Sequence, residues 1–320
     1  MKINVALPSG RTKTLSLPES SEVGDLQVLA QKSFLQGFLR LVTANGQMLL
    51  DPMQSLQAAG IHEGDNLTAL ALQTRIAATR RAFALWRSGG DSIITWGNRS
   101  HGGDSSAVRD QLRGVQQVHA SKKAFAAILA DGSVVTWGDE EYGGDSSAVR
   151  DQLRGVQQVH ASEGAFAAIL ADGSVVTWEN PEYGGDSSAV RDQLRGVQQV
   201  HASLTAFAAI LAGGSVVTWG HAACGGDSSA VRDQLRGVQQ VHASKKAFAA
   251  ILADGSVVTW GHAACGGDSS AVQDQLRGVQ QVHASEGAFA AILADGSVVT
   301  WGDAEYGGYS PAVRDDLLVL

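Results

Sequence analysis

The sequence predicts two domains, a small α+β domain over residues 1–72 and an all-β, six-bladed propeller over residues 73–320. Three observations lead to this prediction. Tryptophan recurs at six evenly spaced positions, each repeat contains short β-branched segments separated by turn signals, and the segment before position 73 shows no such periodicity. A period near 40 residues with about four short strands in each unit is typical of β-propellers.

The tryptophans mark a repeat that is copied almost letter for letter. The second unit reads GGDSSAVRDQLRGVQQVHASKKAFAAILADGSVVTW, and four further copies follow it. Residues 73–96, QTRIAATRRAFALWRSGGDSIITW, match the second half of that unit with one inserted residue near Gly89 and therefore form a divergent first unit. The repeated tryptophans are Trp96, Trp137, Trp178, Trp219, Trp260 and Trp301.

Each unit is predicted to contain three clear strands and one weaker element. In the second unit the strands are residues 115–120, 124–129 and 133–137, which are rich in aliphatic and β-branched side chains. The dipeptide Asp131-Gly132 between the last two strands is a strong hairpin signal. Residues 106–112 are interpreted as a weaker fourth strand, with a helical turn as the alternative.

The two ends of the repeat region complement each other in sequence. The first unit lacks the SSAVRDQL segment of the later units, and residues 310–317, SPAVRDDL, supply it. If this C-terminal strand pairs with the first unit, it closes a ring of six blades and leaves no open sheet edge. An open solenoid is the alternative, but it does not explain why one unit is split between the two ends.

The motif LADGSVVTWG, preceded by VQQVHAS and followed by a loop ending in Tyr-Gly-Gly, resembles the repeat of the regulator of chromosome condensation family. The resemblance covers residues 73–320 and implies a propeller. Two features depart from the family pattern, because the units are shorter than its usual repeat and there are six of them rather than seven.

The segment over residues 1–72 shows a different order of elements. Ile3 and Val5 alternate with polar residues in a first strand, and a Ser20 or Ser21 cap is expected to start a helix. The predicted elements are strands over residues 12–17, 39–43 and 67–72, a helix over residues 23–32 and a hairpin turn at Asn45-Gly46. This order resembles ubiquitin, with MKINVALPSGRTKTLSL matching its opening hairpin, and the resemblance implies a β-grasp fold.

The ubiquitin resemblance carries functional expectations of its own. Leu72 runs directly into the first repeat without a Gly-Gly tail, so we expect a domain that is neither conjugated nor cleaved off. The positions matching the apolar recognition patch of ubiquitin are Pro8, Val42 and Leu70. They are candidate partner-binding residues, although scattered apolar side chains are also common on protein surfaces.

The units differ mainly at two places, the residue pair after the conserved serine and the loop after the tryptophan. In an antiparallel sheet both places lie at the same end, so we predict a variable rim that binds a protein partner. Neutral drift of surface turns is the alternative. The predicted rim residues are Lys122, Lys123, Glu163, Leu204, Lys245, Lys246 and Glu286 in the pairs, and Glu140, Glu141, Tyr142, Tyr183, His221, His262 and Tyr306 in the loops.

Other recurring polar residues are interpreted as structural. One histidine recurs at the same position in five units, which favours placement by symmetry over a pH switch or a ring of ligands; these residues are His119, His160, His201, His242 and His283. The recurring arginines Arg109, Arg150, Arg191 and Arg232 are expected to make strand-edge or inter-blade salt bridges. The spacing His221-Ala-Ala-Cys224 and His262-Ala-Ala-Cys265 suits zinc, but the two loops lie on separate blades, so loop filler is preferred and no metal or cofactor is expected.

Composition narrows the function. A net charge of -8, two cysteines, and the lack of a long apolar run or a targeting segment predict a cytosolic or nuclear protein with neither nucleic-acid nor membrane partners. No catalytic constellation stands out, so we expect a non-enzymatic interaction scaffold or adaptor. The two resemblances together imply ubiquitin-receptor or ubiquitin-ligase components as partners, because large HECT ubiquitin ligases carry propellers of this repeat. Nucleotide exchange on a small GTPase and a structural subunit role are the alternatives.

Overall fold

The computed structural model describes residues 1–87, 90 and 92–309. Its contacts divide the chain into two compact units, one of Met1–Arg75 with Trp86–Gly90 and one of Ile76–Leu85 with Asp91–Leu320. None of the helices in the described residues is both long enough and apolar enough to cross a bilayer.

The N-terminal unit is a four-stranded mixed sheet with one helix. Strand β1 pairs antiparallel with β2 and parallel with β4, and the sheet order is β2-β1-β4-β3. Ile3 and Val5 point inward as their alternation predicts, and with Leu26 and Phe34 of the helix they belong to one fully buried core. The elements are β1 (Lys2–Ala6), β2 (Thr12–Ser16), α1 (Val23–Phe34), β3 (Leu39–Val42) and β4 (Asn66–Ala71).

The helix start differs from the serine cap expected from the sequence. Helix α1 is preceded by Glu22, whose backbone N–H donates to the Asp25 carboxylate at 3.1 Å. An acidic side chain in the first turn also suits the positive end of the helix dipole. The cap prediction at Ser20 or Ser21 is therefore wrong by one or two residues.

The described part of the repeat region contains six three-stranded sheets, one for each unit, in which consecutive strands are neighbours, and the strands of the second to sixth units pair antiparallel. The hairpin between the second and third strands of each complete unit turns at the predicted site, for example with Val134 opposite Ile128. The strands are β5 (Thr74–Ala78), β6 (Ala82–Arg87), β7 (Ile93–Gly97), β8 (Val115–Ala120), β9 (Ala124–Leu129), β10 (Val134–Gly138), β11 (Val156–Ala161), β12 (Ala165–Leu170), β13 (Val175–Glu179), β14 (Val197–Ala202), β15 (Ala206–Leu211), β16 (Val216–Gly220), β17 (Val238–Ala243), β18 (Ala247–Leu252), β19 (Val257–Gly261), β20 (Val279–Ala284), β21 (Ala288–Leu293) and β22 (Val298–Gly302).

The weaker fourth element is a 3-10 helix, so its interpretation as a strand is wrong and the alternative of a helical turn is confirmed. The Asp104 carboxylate accepts the N–H of Ser106 at 3.0 Å, which bends the chain into a turn before a strand can start. These helices span Ser106–Gln111, Ser147–Val149, Ser188–Gln193, Ser229–Val231 and Ser270–Gln275. The loops after the tryptophans form a second set, at Arg99–His101, Glu140–Tyr142, Pro181–Tyr183, Ala222–Cys224, Ala263–Cys265 and Ala304–Tyr306.

Consecutive sheets pack face to face through small side chains on one side and large ones on the other. Between the second and third units, Ala124 and Ala126 belong to the same buried cluster as Phe166 and Trp178. The alanines let the sheets approach closely while the aromatic rings fill the remaining space. Each tryptophan indole from the second unit onward donates to a glycine carbonyl in the preceding loop, for example Trp178 to Gly143 at 3.2 Å.

The recurring arginines connect neighbouring units, but through a neutral partner. Arg150 donates to the Gln111 side chain of the preceding unit at 3.1 Å, and Arg191 and Arg232 repeat the contact with their own glutamines. The expectation of salt bridges between these arginines and a neighbouring blade is therefore wrong for the three. The predicted closing strand over residues 310–317 lies outside the described residues.

Candidate functional site

The two variable segments of a unit lie against each other. In the second unit the Asp139 N–H donates to the Lys123 carbonyl at 3.2 Å, and the Lys123 ammonium donates to the Asp139 carboxylate at 3.2 Å. The same ammonium lies 4.0 Å from the centre of the Tyr142 ring. The hydrogen bond to Asp139 raises the pKa of Lys123. The residue pair and the loop thus form one surface within the unit.

Neighbouring units are joined along this surface by a backbone ladder. The Lys122 N–H donates to the Glu163 carbonyl at 3.0 Å, and the Glu163 N–H donates to the Leu204 carbonyl at 2.9 Å. The ladder continues through Lys245 to Glu286 with the same spacing. Two ion pairs accompany it, Lys122 with Glu163 and Lys245 with Glu286, the second at 3.4 Å.

The loops are anchored in the same way whatever their side chains are. The hydroxyl of Ser121 donates to the Tyr142 carbonyl, and the hydroxyl of Ser203 donates to the Cys224 carbonyl at 2.9 Å. Because the anchor uses only backbone acceptors in the loop, the loop side chains are free to differ. The exposed side chains at the loop tips do differ, from Glu140 and Glu141 in the second unit to alanines in the fourth and fifth.

The other predicted rim residues differ from one another in exposure and in the residues that they contact. The rings of Tyr142 and Tyr183 lie 6.1 Å apart across one unit boundary, and burial raises the pKa of Tyr183. Tyr306 in the last unit is exposed. Leu204 is the first residue of the pair in the fourth unit, and Lys246 is the second residue of the pair in the fifth unit. The Lys246 carbonyl accepts a hydrogen bond from the backbone N–H of His262 in the loop.

Glu179 is a rim residue that the sequence analysis did not single out. The residue after the tryptophan is a glycine in the other units, with φ between 101° and 116° in the second and the fourth to sixth units, whereas Glu179 adopts φ 80°. A side chain in this left-handed region costs about 1–2 kcal/mol. Burial raises the pKa of Glu179, and the nearby carboxylates of Asp145 and Glu140 raise it further. The signal was visible in the sequence as Trp-Glu in place of Trp-Gly.

Two single differences between units fall outside the rim segments. Gly213 stands where the other complete units have aspartate in the hairpin turn, and Gln273 stands where they have arginine. Gln273 donates to the Val257 carbonyl of the preceding unit at 3.1 Å. The rim segments nevertheless hold most of the variation among units two to six.

The structure gives no support to a zinc site in the histidine and cysteine loops. Cys224 is buried, whereas His221 and His262 are exposed at the loop tips and Cys265 is partly buried. Across residues 1–87, 90 and 92–309, no group of three or more His, Cys, Asp or Glu side chains is arranged to hold a metal ion.

Four of the five recurring histidines are partly buried, and the fifth, His283, is exposed. Burial, followed by the neighbouring His119 and His201, lowers the pKa of His160 to about 4. Burial with a contribution from His242 does the same for His201. The imidazole of His160 also lies 3.2 Å from the Gln158 side chain. Neutral imidazoles with such low pKa values do not change charge near pH 7.

The three predicted partner-binding residues of the N-terminal segment, Pro8, Val42 and Leu70, lie on the outer side of its sheet and in its first turn. Val42 on β3 and Leu70 on β4 are partly exposed, on neighbouring strands where Val42 pairs with Thr68. Pro8 is exposed in the turn after β1. Val42 and Leu70 therefore share the face opposite to the buried core.

Comparisons with known proteins concern the fold of the repeat region. No protein-family model matches the chain, and no curated protein matches it. Solved structures do: human WBSCR16 (15% identity, 74% of this chain and 78% of that chain, TM-score 0.46), the Physcomitrella patens receptor kinase CR4 ectodomain (16%, 73% and 62%, TM-score 0.44) and the structure of Kap60 bound to yeast RCC1 (Prp20) (14%, 74% and 71%, TM-score 0.44). The repeated three-stranded sheets of this chain fit a β-propeller.

Proposed function

We propose that this protein is a non-catalytic protein-binding scaffold whose repeat region presents the variable rim to a partner. The observation that carries the proposal is the location of the sequence differences. Units that are otherwise nearly identical differ mainly in two segments, and those segments pack together on one surface, as Lys123, Asp139 and Tyr142 do.

Exposure alone does not account for where the differences lie. Asp151, Asp192 and Asp233 are fully exposed in their turns, yet the aspartate is the same in each of these units. Drift of surface residues after duplication would change such positions as readily as the rim. A rim that varies on an unchanged scaffold is the arrangement used by many binding surfaces.

The N-terminal unit is proposed as a second, ubiquitin-like interaction module. Its mixed sheet with one helix and the outward-facing Val42 and Leu70 support this part of the proposal. Its partners would be ubiquitin-receptor or ubiquitin-ligase components, and Pro8, Val42 and Leu70 the contact residues. The substitutions V42D and L70D are expected to abolish such binding while leaving the core of the unit intact, because neither side chain belongs to the buried core.

A uniform-rim variant tests the scaffold proposal. In this variant every residue pair becomes Lys-Lys and every loop becomes the GHAAC loop of the fifth unit, whose backbone anchor is the same as in the other units. Affinity capture from cells with the full chain should recover partners that the uniform-rim variant loses. The matched control carries D151N, D192N and D233N at exposed positions away from the rim and should retain the partners.

Two outcomes would contradict the proposal. Identical partners for the wild type and the uniform-rim variant would show that the rim variation does not matter for binding. Accelerated nucleotide release from a small GTPase by the wild type, lost in the uniform-rim variant, would instead favour the exchange-factor alternative.

A further inference from the structure

Every internal boundary between units seats a phenylalanine ring on a glycine of the preceding loop. A Cβ atom built on Gly102 would lie 2.6 Å from the Phe125 ring, and one built on Gly184 would lie 2.7 Å from the Phe207 ring. Gly143, Gly225 and Gly266 meet the phenylalanine of the following unit in the same way. The glycines therefore leave room for the ring of the next unit.

The last unit has the same glycine without a ring above it. Gly307 adopts φ 95°, like its counterparts, but no heavy atom of the described residues lies within 4 Å of a Cβ built on it. Within the described part of the chain, the glycine in the hairpin turn of the last unit also lacks the neighbour that its counterpart in the fifth unit has. A Cβ on Gly255 would lie 2.9 Å from Gly278 of the next unit, whereas one on Gly296 would meet no atom of residues 1–87, 90 and 92–309 within 4 Å.

The first unit carries the aromatic face that this open end lacks. Phe83 and Trp96 are stacked with their ring centres 5.3 Å apart, as in the later units, but they are 43% and 42% exposed. The corresponding Phe125 and Trp137 are 0% and 4% exposed. Ile94 beside them is 61% exposed. An apolar face of this kind marks a contact surface.

The backbone ladder is open at the same boundary. Its members run from the Arg80 N–H, which donates to Lys122 at 3.0 Å, to the Lys245 N–H, which donates to Glu286 at 2.9 Å. In the described part of the chain the Glu286 N–H donates to no backbone carbonyl. The serine that precedes it, Ser285, is exposed, whereas Ser244 in the fifth unit is buried.

We propose that the aromatic face of the first unit docks on the open face of the last unit in a second copy of this chain. The docking would repeat the five internal boundaries, with Phe83 on Gly307 and the Trp96 indole donating to the Gly307 carbonyl. Among the described residues of one chain nothing covers either face, so a second copy supplies the missing contact for each. Because the two faces differ, the contact is head to tail and leads to rings or filaments of copies.

Two variants each block one face. F83R places a charge on the aromatic face, and G307R places a long side chain where the docking ring would sit. G46R is the matched control, because Gly46 also has a positive φ of 85° and a Cβ there also meets nothing within 4 Å. Sedimentation velocity on the full chain is run from about 1 to 100 μM, the range in which weak protein contacts form.

The expected result is specific to a head-to-tail contact. The wild type and G46R should increase in mass with concentration, whereas F83R alone and G307R alone should stay monomeric, with association weakened at least about tenfold. An equimolar mixture of F83R and G307R should form dimers and nothing larger, because only one intact pair of faces remains.

Other results would overturn the proposal. A wild type that stays monomeric over the whole range would do so. If it also melts at a higher temperature than both F83R and G307R but at the same temperature as G46R, the two faces meet within one chain instead. Assembly of G307R or F83R alone to the same size as the wild type would show that copies associate through a different surface.

Discussion

Acid is expected to destabilise the repeat region through its partly buried histidines. Burial and neighbouring histidines lower the pKa of His160 and His201 to about 4, from an ordinary value of 6.5. The folded state therefore keeps both imidazoles neutral while the unfolded chain protonates them below pH 6.5. Stability is unaffected above pH 6.5, falls as the pH drops from 6.5 towards 4, and levels off below that.

The magnitude follows from the width of this window. Between pH 6.5 and pH 5 each of the two histidines costs about 2 kcal/mol, because one pKa unit corresponds to about 1.4 kcal/mol. The loss of about 4 kcal/mol for the pair is a large part of the 5–15 kcal/mol that stabilises a typical protein. Alanine is an acceptable replacement, because Ala77 occupies the same position in the first unit.

The assay is urea unfolding of the full chain at pH 7.5, 6.5, 5.5 and 5, followed by tryptophan fluorescence. The double variant H160A/H201A is expected to show a smaller decrease in midpoint below pH 6.5 than the wild type, and part of the decrease should remain because burial also lowers the pKa of His119 and of His242. H283A is the control, because it makes the same substitution at the exposed histidine of the series. A wild type with a constant midpoint, or a double variant as acid-sensitive as the wild type, would refute the reasoning.

Three further predictions concern single positions, each measured as a urea midpoint with the wild type beside it. E179G should raise the free energy of unfolding by about 1 kcal/mol at pH 7, because it removes a left-handed side chain; since burial raises the pKa of Glu179, the ionised folded form is penalised at pH 7 and the gain should shrink at pH 4. G184A should lower the free energy of unfolding by about 2–4 kcal/mol, since its Cβ would lie 2.7 Å from the Phe207 ring; an unchanged midpoint would contradict that packing. S244A should cost about 1–2 kcal/mol because a buried hydroxyl loses its bond to a loop carbonyl, whereas S285A, with the same bond at an exposed site, should cost less; equal effects would refute the role of burial.

Most of the local structure follows from short-range sequence patterns. The alternation of Ile3 and Val5, the Asp-Gly hairpins and the β-branched run before each tryptophan act within a few residues, and the strands lie where these patterns place them. Two details were predicted wrongly, the fourth strand and the helix cap, because local side-chain hydrogen bonds favour other conformations at these positions. The Asp104 side chain bends the chain into a 3-10 turn instead of a strand, and Asp25 holds the helix start at Glu22 instead of a serine.

The sequence likewise predicts only part of the candidate rim. The variable segments and their common end of the sheet could be predicted from chain direction alone, since antiparallel strands bring alternate turns to one side. The contacts among them could not, because Lys122 and Glu163 belong to different units and meet only when those two units pack. Glu179 was overlooked because its cost depends on a backbone φ and on carboxylates from the neighbouring unit.

The sequence by itself determined the repeat, the number of units that carry it, the three strands in each and the separate N-terminal unit. Those features follow from the repeat period and from turn residues, which are visible without a structure. Only the tertiary structure decided what lies at the boundaries. The same glycine lies under a ring in five units, whereas no described residue covers Gly307, and the same phenylalanine is buried in five units and exposed at Phe83. Identical residues differ in this way because burial depends on the neighbour that packs against them.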